Sequence, residues 1–188
     1  MNKYDEIQKH PQRKYLKARK EDKWGVVNKS FDIVIPCEYD YISFGSDDEE
    51  YFVVYKGKKC GMVNRENQLI IPFEYEQLDY PKENFMVALQ NDKFGIINMN
   101  NEVIIPFEYE NMINCLPDCI IAKNNAKCGF INLENKKISE FIYDEIFQQS
   151  QNRYCASVNG KWGMLDKKFN EITDFRYSDP IVMINAVN

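Results

Sequence analysis

The sequence contains a single histidine, His10, among its 188 residues. Catalysts of the Ser-His-Asp and Cys-His types use an imidazole as their general base, so any such mechanism would depend on this one residue. His10 stands next to Pro11 in a polar segment near the N-terminus, where we expect a solvated surface histidine. The glycine-rich phosphate-binding motifs and the nucleophile-elbow motif are also missing. These absences predict that the protein is not an enzyme.

Long hydrophobic runs and an excess of basic residues are missing as well. No run approaches the ~20 apolar residues that a membrane-spanning helix needs, and the N-terminal segment lacks the apolar core of a secretory signal. We therefore expect a cytoplasmic protein that makes no membrane contact and keeps its six cysteines reduced. The 24 lysines and arginines face 29 acids, for a net charge of −5. This balance argues against nucleic acid as the primary partner.

Aromatic residues are abundant, and they recur at fixed positions. A lysine followed by an aromatic residue or cysteine and then glycine appears five times, with glycines 36, 34, 34 and 34 residues apart. These glycines are Gly25, Gly61, Gly95, Gly129 and Gly163. Fourteen residues after each of them comes a tyrosine, namely Tyr39, Tyr75, Tyr109, Tyr143 and Tyr177. A period kept over nearly the whole chain predicts a tandem repeat whose units stack to bury their apolar faces.

Each unit has the pattern of about three short antiparallel strands, with room for a fourth near the tyrosine. Polar pairs such as Asn91-Asp92 and Asn159-Gly160 between apolar runs predict tight hairpin turns. The glycine after the aromatic residue predicts a bulge or a close backbone approach. The proline after the third run, for example Pro36, is predicted to end the hydrogen-bond ladder because it has no N–H. Residues 15–19 are predicted to form an edge strand, although a basic helix is a second interpretation.

These motifs resemble the WG-repeat family, also called KWG repeats. The resemblance rests on the recurring Lys-Trp-Gly, Val-Asn, Ile-Pro and Tyr-Asp motifs and covers residues from about 4 to 180. The tryptophan is kept only at Trp24 and Trp162, and Ile-Pro is lost after Pro106, so the last two units depart from the pattern. The resemblance implies a bacterial repeat protein that binds or scaffolds and has no catalytic activity.

The sequence thus predicts an all-β fold, a tandem array of five antiparallel β-hairpin or meander repeats of about 34 residues. We place all of them in a single domain over residues 1–188. An open, curved array is the first expectation, and a closed propeller-like ring is the alternative. The repeat cores lie near residues 15–42, 51–78, 85–112, 119–146 and 153–180.

The six cysteines do not have the spacing of a metal site. Five of them stand where other repeats have apolar residues, which predicts a role in the core: Cys37, Cys60, Cys119, Cys128 and Cys155. Cys115 lies in a variable loop. Zinc prefers short paired spacings or histidine partners, and neither is present. We therefore predict no metal and no cofactor.

Acidic residues offer the candidate contacts. Four acids follow the repeated tyrosines, and their fixed position favours a structural role in a turn over catalysis by paired carboxylates: Asp40, Glu76, Glu110 and Asp144. A second acidic run, Asp47, Asp48, Glu49 and Glu50, lies in the long loop of the first unit. The run is either a solvated loop or a contact for a basic partner. A basic stretch near the N-terminus could contact RNA or an acidic partner, but neighbouring acids weaken that signal.

The leading functional hypothesis is a non-enzymatic protein-binding module. A small acidic cytosolic protein would suit neutralisation of a basic toxin, such as a nuclease, as an immunity protein. The alternative is a carbohydrate-binding or cell-envelope-binding repeat protein that uses exposed aromatic residues. An uncharacterised enzyme is the third hypothesis.

Overall fold

The structure is a computed structural model, and it describes residues 3–8, 13–45, 50–115 and 119–187. Strands dominate these residues, and Pro180–Val187 (α1) is the helix that they contain. The strands form five antiparallel sheets in chain order. The all-β tandem array that the sequence predicts is confirmed, although α1 was not predicted. The open, curved form of the array stays a prediction.

The first three sheets have four strands each. The first contains β1 (Glu6–Gln8), β2 (Tyr15–Lys20), β3 (Lys23–Asn28) and β4 (Ile33–Tyr39). The second contains β5 (Tyr41–Phe44), β6 (Tyr51–Lys56), β7 (Lys59–Asn64) and β8 (Leu69–Tyr75). The third contains β9 (Gln77–Leu78), β10 (Phe85–Gln90), β11 (Lys93–Asn98) and β12 (Val103–Tyr109).

The last two sheets have three strands each. The fourth contains β13 (Asn111–Cys115), β14 (Cys119–Asn124) and β15 (Lys127–Ile131). The fifth contains β16 (Glu145–Ser150), β17 (Arg153–Val158) and β18 (Lys161–Asp166). Where the earlier sheets have a fourth strand, isolated bridges join Cys128 to Tyr143 and Trp162 to Tyr177.

The chain divides into two compact units. Unit 1 comprises Met1–Asn91 and Ile96–Val103, and unit 2 comprises Asp92–Gly95 and Ile104–Asn188. The single domain over residues 1–188 and the five core boundaries stay predictions.

The N-terminal strand differs in one respect from the sequence expectation. Residues 15–19 are indeed a strand, but β2 is not at the edge of its sheet. The short strand β1 pairs with its other side, with Ile7 opposite Ala18. The prediction of an edge strand is therefore wrong, because Glu6–Gln8, which follows a further copy of the tyrosine-acid motif at Tyr4-Asp5, adds a strand outside β2.

The repeated glycine lies under a bulge of the following strand. In the first sheet Trp24 pairs with Tyr39 and Val26 pairs with Ile35. Three residues of β4, 36–38, therefore stand opposite the single residue Gly25 of β3. A Cβ atom at Gly25 would lie 2.5 Å from the Ile35 carbonyl oxygen, which explains why a side chain is not accommodated there. The predicted bulge is confirmed. The prediction that proline ends the ladder is wrong, because β4 continues beyond Pro36 on the edge of its sheet, where a missing N–H costs no ladder bond.

The chain passes from one sheet to the next at the tyrosine and the acid that follows it. Tyr39 is the last residue of β4 and Tyr41 is the first of β5. Between them, the backbone N–H of Asp40 already donates to Tyr55 O in the second sheet, at 2.9 Å. The same bond recurs at the other crossings, Glu76 to Leu89, Glu110 to Lys123 and Asp144 to Ser157, and Asp5 donates in the same way to Arg19 at the start of the first sheet.

Candidate interaction surface

Three buried tyrosines each tie their sheet to a turn of the following sheet. The Tyr39 hydroxyl donates to Asn67 Oδ1 at 2.7 Å. Two further pairs repeat this bond, Tyr75 with Asn101 at 2.7 Å and Tyr109 with Asn135 at 2.6 Å. The three asparagines have φ between 59° and 62°, a left-handed conformation that asparagine tolerates better than most residues. Sequence reasoning missed these asparagines, although each stands six residues after a repeated glycine.

The first and last repeats have phenylalanine at the asparagine position. Phe31 and Phe169 keep the left-handed backbone, each with a φ of 65°. In the first repeat the consequence is a buried hydroxyl, Tyr4 Oη, that has no hydrogen-bond partner. An unsatisfied buried polar group lowers stability. Phe169 differs from the exposed Phe31 because its ring packs 4.2 Å from the Phe130 ring, measured between centroids.

We expect opposite effects from the same substitution at these two positions. Phe31→Asn should raise the free energy of unfolding by about 1 kcal/mol, because asparagine supplies an acceptor for Tyr4 and suits the positive φ. Phe169→Asn should lower it by about 1–2 kcal/mol, because the ring contact with Phe130 is lost. Urea denaturation of both variants measures the two changes. A loss of stability in Phe31→Asn would contradict the role assigned to the asparagine position.

Three of the acids at the crossings, Asp40, Glu76 and Asp144, accept hydrogen bonds on both oxygens. Asp40 Oδ1 accepts from Lys23 Nζ at 2.5 Å, and Asp40 Oδ2 accepts from the backbone N–H of Gly57 at 2.6 Å. Each described repeat acid accepts a bond from the N–H of a hairpin turn: Glu21 to Asp5, Asn91 to Glu76, Ala126 to Glu110 and Gly160 to Asp144. The fixed position of the acids follows from these bonds, which stabilise the turns.

These bonds lower the pKa of three of the acids. The bonded ammonium of Lys23 and the Gly57 N–H hold the pKa of Asp40 below its usual value. Lys59 lowers the pKa of Glu76 by the same kind of bond. Lys127 and the Gly160 N–H do so for Asp144.

We expect stability to fall in acid because of these carboxylates. A carboxyl whose pKa is lower in the folded state stabilises the fold above its unfolded pKa, about 4, and stops doing so as pH falls further. The melting temperature should therefore drop below about pH 4. Asp40→Asn combined with Asp144→Asn should lower the melting temperature at neutral pH and reduce this acid dependence. An identical pH profile for wild type and the double variant would contradict the assignment.

The predicted acidic run lies mostly outside the described residues. Asp47, Asp48 and Glu49 belong to a segment that the structure does not describe. Glu50 is described, and it is exposed immediately before β6. The loop therefore joins the paired strands β5 and β6, and its role in partner binding stays a prediction.

The first residues of three edge strands form a repeated set of exposed side chains in unit 1 that sequence reasoning missed. Ile33, Leu69 and Val103 begin β4, β8 and β12 and are 60%, 52% and 54% exposed. Exposed acids occur on the same edges: Asp32 and Glu102 directly precede Ile33 and Val103, and Glu38 and Glu74 lie near the far ends of β4 and β8. We call this set the outer-edge surface: Asp32, Ile33, Glu38, Leu69, Glu74, Glu102 and Val103.

Unit 2 contains a cavity of about 340 Å³. Its lining includes Ile113, Lys123, Cys128, Glu145 and Phe147. Cys128, at the position of the motif tryptophan, is one of the residues that line it. Four of the five predicted core cysteines are buried, which confirms that these side chains belong to the interior; Cys37 is half-buried.

The sequence model of the family described as WG containing repeat matches residues 24–60, 61–94, 94–114 and 129–162. These matches cover more than half of the chain, so the protein belongs to the WG-repeat family. Repeat β-folds of this kind are typical of binding modules rather than enzymes. No curated protein matches the chain in sequence. Among the described residues, no helix is both long and apolar enough to cross a membrane.

Solved structures with WD40 propeller-like folds are similar to this chain. A eukaryotic initiation factor matches with a TM-score of 0.59 and 9% identity, over 84% of this chain and 50% of that chain. Hsv2 of Kluyveromyces lactis matches with a TM-score of 0.54 and 9% identity, over 88% of this chain and 61% of that one. The chain thus spans about half of the first structure and under two thirds of the second. At such identities the likeness shows the fold alone.

Proposed function

We propose that this WG-repeat protein is a non-enzymatic module that binds a partner protein through the outer-edge surface. The proposal rests on one observation. Three edge strands each begin with an exposed aliphatic residue, and exposed acids occur on the same edges. An isolated exposed aliphatic residue is ordinary. Together, the aliphatic side chains of Ile33, Leu69 and Val103 give a partner three similar apolar contacts on one unit.

The acids of this surface determine what kind of partner fits. Asp32, Glu38, Glu74 and Glu102 are exposed on the same edges; Asp32 and Glu102 directly precede Ile33 and Val103, although Lys3, Lys20 and Lys23 also lie around Ile33. Lys56 lies 3.9 Å from Glu38, and this exposed pair neutralises little of the negative charge. A partner with basic side chains around an apolar centre complements the surface, because complementary charge speeds association and excludes wrong partners.

Within this proposal, a basic toxin such as a nuclease is a partner of suitable chemistry, and the protein then acts in the cytoplasm as its immunity protein. The net charge of −5 supports a basic partner. The carbohydrate alternative receives less support from the described residues. Their exposed aromatic rings are those of Phe31 and Tyr41, and Lys17 lies 4.5 Å from the centroid of the Tyr41 ring.

Affinity capture from an extract of the native host tests the proposal. Wild-type protein and the triple variant Ile33→Ser, Leu69→Ser, Val103→Ser are compared, with captured proteins identified by mass spectrometry. We expect a basic protein to be enriched by wild type and lost with the triple variant. The matched control is Ile138→Ser with Ile172→Ser, two exposed isoleucines of unit 2. Equal capture by wild type and the triple variant would remove the outer-edge surface from the binding site.

The acidic loop can be tested with the same recovered partner. Replacing Asp47, Asp48, Glu49 and Glu50 with serine should slow association by about tenfold at low salt and reduce its salt dependence, since rim charges act mainly on the association rate. The melting temperature should barely change, because exposed charges contribute little to stability. Stopped-flow association at two salt concentrations measures the effect. An unchanged rate would show that the loop makes no contact with this partner.

A further inference from the structure

The first sheet carries a cavity of about 310 Å³ that lies entirely within unit 1. Tyr4, Ile35 and Cys37 line it, together with the lysines Lys3 and Lys20. Its volume reaches the lower end of the range found for small-molecule sites, about 300–1,000 Å³.

The cavity exists because cysteine replaces phenylalanine at one repeat position. In the second sheet Phe73 stacks on Tyr39, with ring centroids 6.3 Å apart and planes 25° apart. The same pair recurs further along the chain, as Phe141 with Tyr109 and Phe175 with Tyr143. In the first sheet the equivalent residues are Cys37 and Tyr4. The cysteine side chain is much smaller than a phenyl ring, so Cys37 supplies no ring to stack on Tyr4, which is 8% exposed and has Lys3 Nζ over its ring.

The cavity lining contains the three lysines Lys3, Lys20 and Lys23 and one acid, Glu21, so lysines outnumber acids at its rim. Lys56, in the second sheet, lies 4.9 Å from the centroid of the Tyr39 ring and 5.3 Å from that of Phe73. Lys20 is its counterpart in the first sheet, because both lysines end the strand that precedes the hairpin turn. Lys3 Nζ lies 5.4 Å from the centroid of the Tyr4 ring.

The charges around the rim are not all neutralised. Lys23, which also lines the cavity, is bonded to Asp40. Lys20 has a looser partner, since its Nζ lies 3.8 Å from Glu21 Oε1 and both side chains are largely exposed. Such exposed pairs hold little interaction energy, so Lys20 remains able to bind another anion. Lys3 Nζ donates to a neutral acceptor, the Phe31 carbonyl oxygen, at 3.1 Å.

We propose that this cavity binds a small aromatic carboxylate. Its ring stacks on Tyr4 in the space that phenylalanine fills in the other repeats, and its carboxylate is bound by the ammonium groups of Lys20 and Lys3. Aromatic stacking and a cation near the ring face both favour such a ligand over an aliphatic acid. The site does not depend on the proposed protein partner. It shares Ile33 with the outer-edge surface, so the test uses residues outside that surface.

Calorimetric titration of the full-length protein tests the proposal with phenylacetate as the probe. Two comparison compounds separate the contributions: phenylacetamide lacks the charge, and cyclohexylacetate lacks the flat ring. We expect saturable binding of phenylacetate at one site and at least about tenfold weaker binding of each comparison compound. Equal affinity for phenylacetate and phenylacetamide would contradict a role for the lysines. Equal affinity for cyclohexylacetate would contradict stacking on Tyr4.

Variants place the binding in this cavity. Cys37→Phe restores the side chain that the other four repeats have at this position, so it should fold and leave no room for the ligand. We expect binding to be lost in Cys37→Phe and weakened about tenfold in Lys20→Gln. The exposed Lys58→Gln variant should bind as wild type does. Undiminished binding by a folded Cys37→Phe protein, or no binding by wild type, would overturn the proposal.

Discussion

Replacing Tyr75 with alanine is expected to lower the free energy of unfolding by about 3–5 kcal/mol, the range for large aromatic truncations in a core. Tyr75 is only 2% exposed. Its hydroxyl donates to Asn101, and the residue stands where β8 ends and the chain crosses to the next sheet. The substitution therefore leaves a cavity and removes a bond between repeats. Urea denaturation followed by circular dichroism measures the change.

A conservative variant at the same position separates the two contributions. Tyr75→Phe keeps the ring and removes only the hydroxyl, so it should lower the free energy of unfolding by about 1 kcal/mol. If Tyr75→Ala lowers the free energy of unfolding no more than Tyr75→Phe does, the ring contributes nothing to the core. The account in which buried tyrosines join the repeats would then be wrong.

Replacing Gly25 with alanine is expected to lower the free energy of unfolding by about 1–3 kcal/mol, the usual cost of overpacking. A Cβ atom there would lie 2.5 Å from Ile35 O and 2.8 Å from the Cys37 nitrogen. Both atoms belong to the backbone of the bulge, which cannot move aside as a flexible side chain can. We expect the bulge and the pairing of Trp24 with Tyr39 to be disturbed.

Gly57 is the matched control, because its backbone conformation favours glycine, whereas at Gly25 the nearby backbone atoms leave no space for a side chain. Gly57 lies in a hairpin turn with a φ of 61°, and no atom lies within 4 Å of a Cβ built there. Gly57→Ala should cost about 1 kcal/mol for the left-handed backbone alone. Gly57→Asn should cost less, since Asn91 adopts a φ of 52° at the corresponding turn. A smaller cost for Gly25→Ala than for Gly57→Ala would contradict the close approach.

The repeat pattern was enough to predict the fold class, the bulge over the glycine and the buried cysteines. It could not predict where one sheet ends and the next begins. The tyrosine and the acid were recognised as recurring positions, but the crossing takes place within two residues and leaves no loop to detect. The bond from Tyr39 to Asn67 joins residues 28 apart, so no local pattern reveals it.

The outer-edge surface was missed for a physical reason. Residues 33–35 form a continuous apolar run, which is typical of a strand buried on both faces. In the structure Ile33 pairs with Val27 and Ile35 pairs with Val26, so an irregularity falls between them. The local change of register takes Ile33 into solvent while Ile35 stays buried. A continuous run of apolar residues in the sequence does not indicate such an irregularity.

Hydrogen exchange of the protein with and without the partner recovered by capture tests the central claim most directly. That claim is that the outer-edge surface, on β4, β8 and the first residue of β12, binds the partner. We predict slower exchange in peptides that cover residues 32–38 and 68–74 when the partner is bound, with little change at residues 133–142 of unit 2. Protection confined to unit 2, with exchange at β4 and β8 unchanged, would contradict the account.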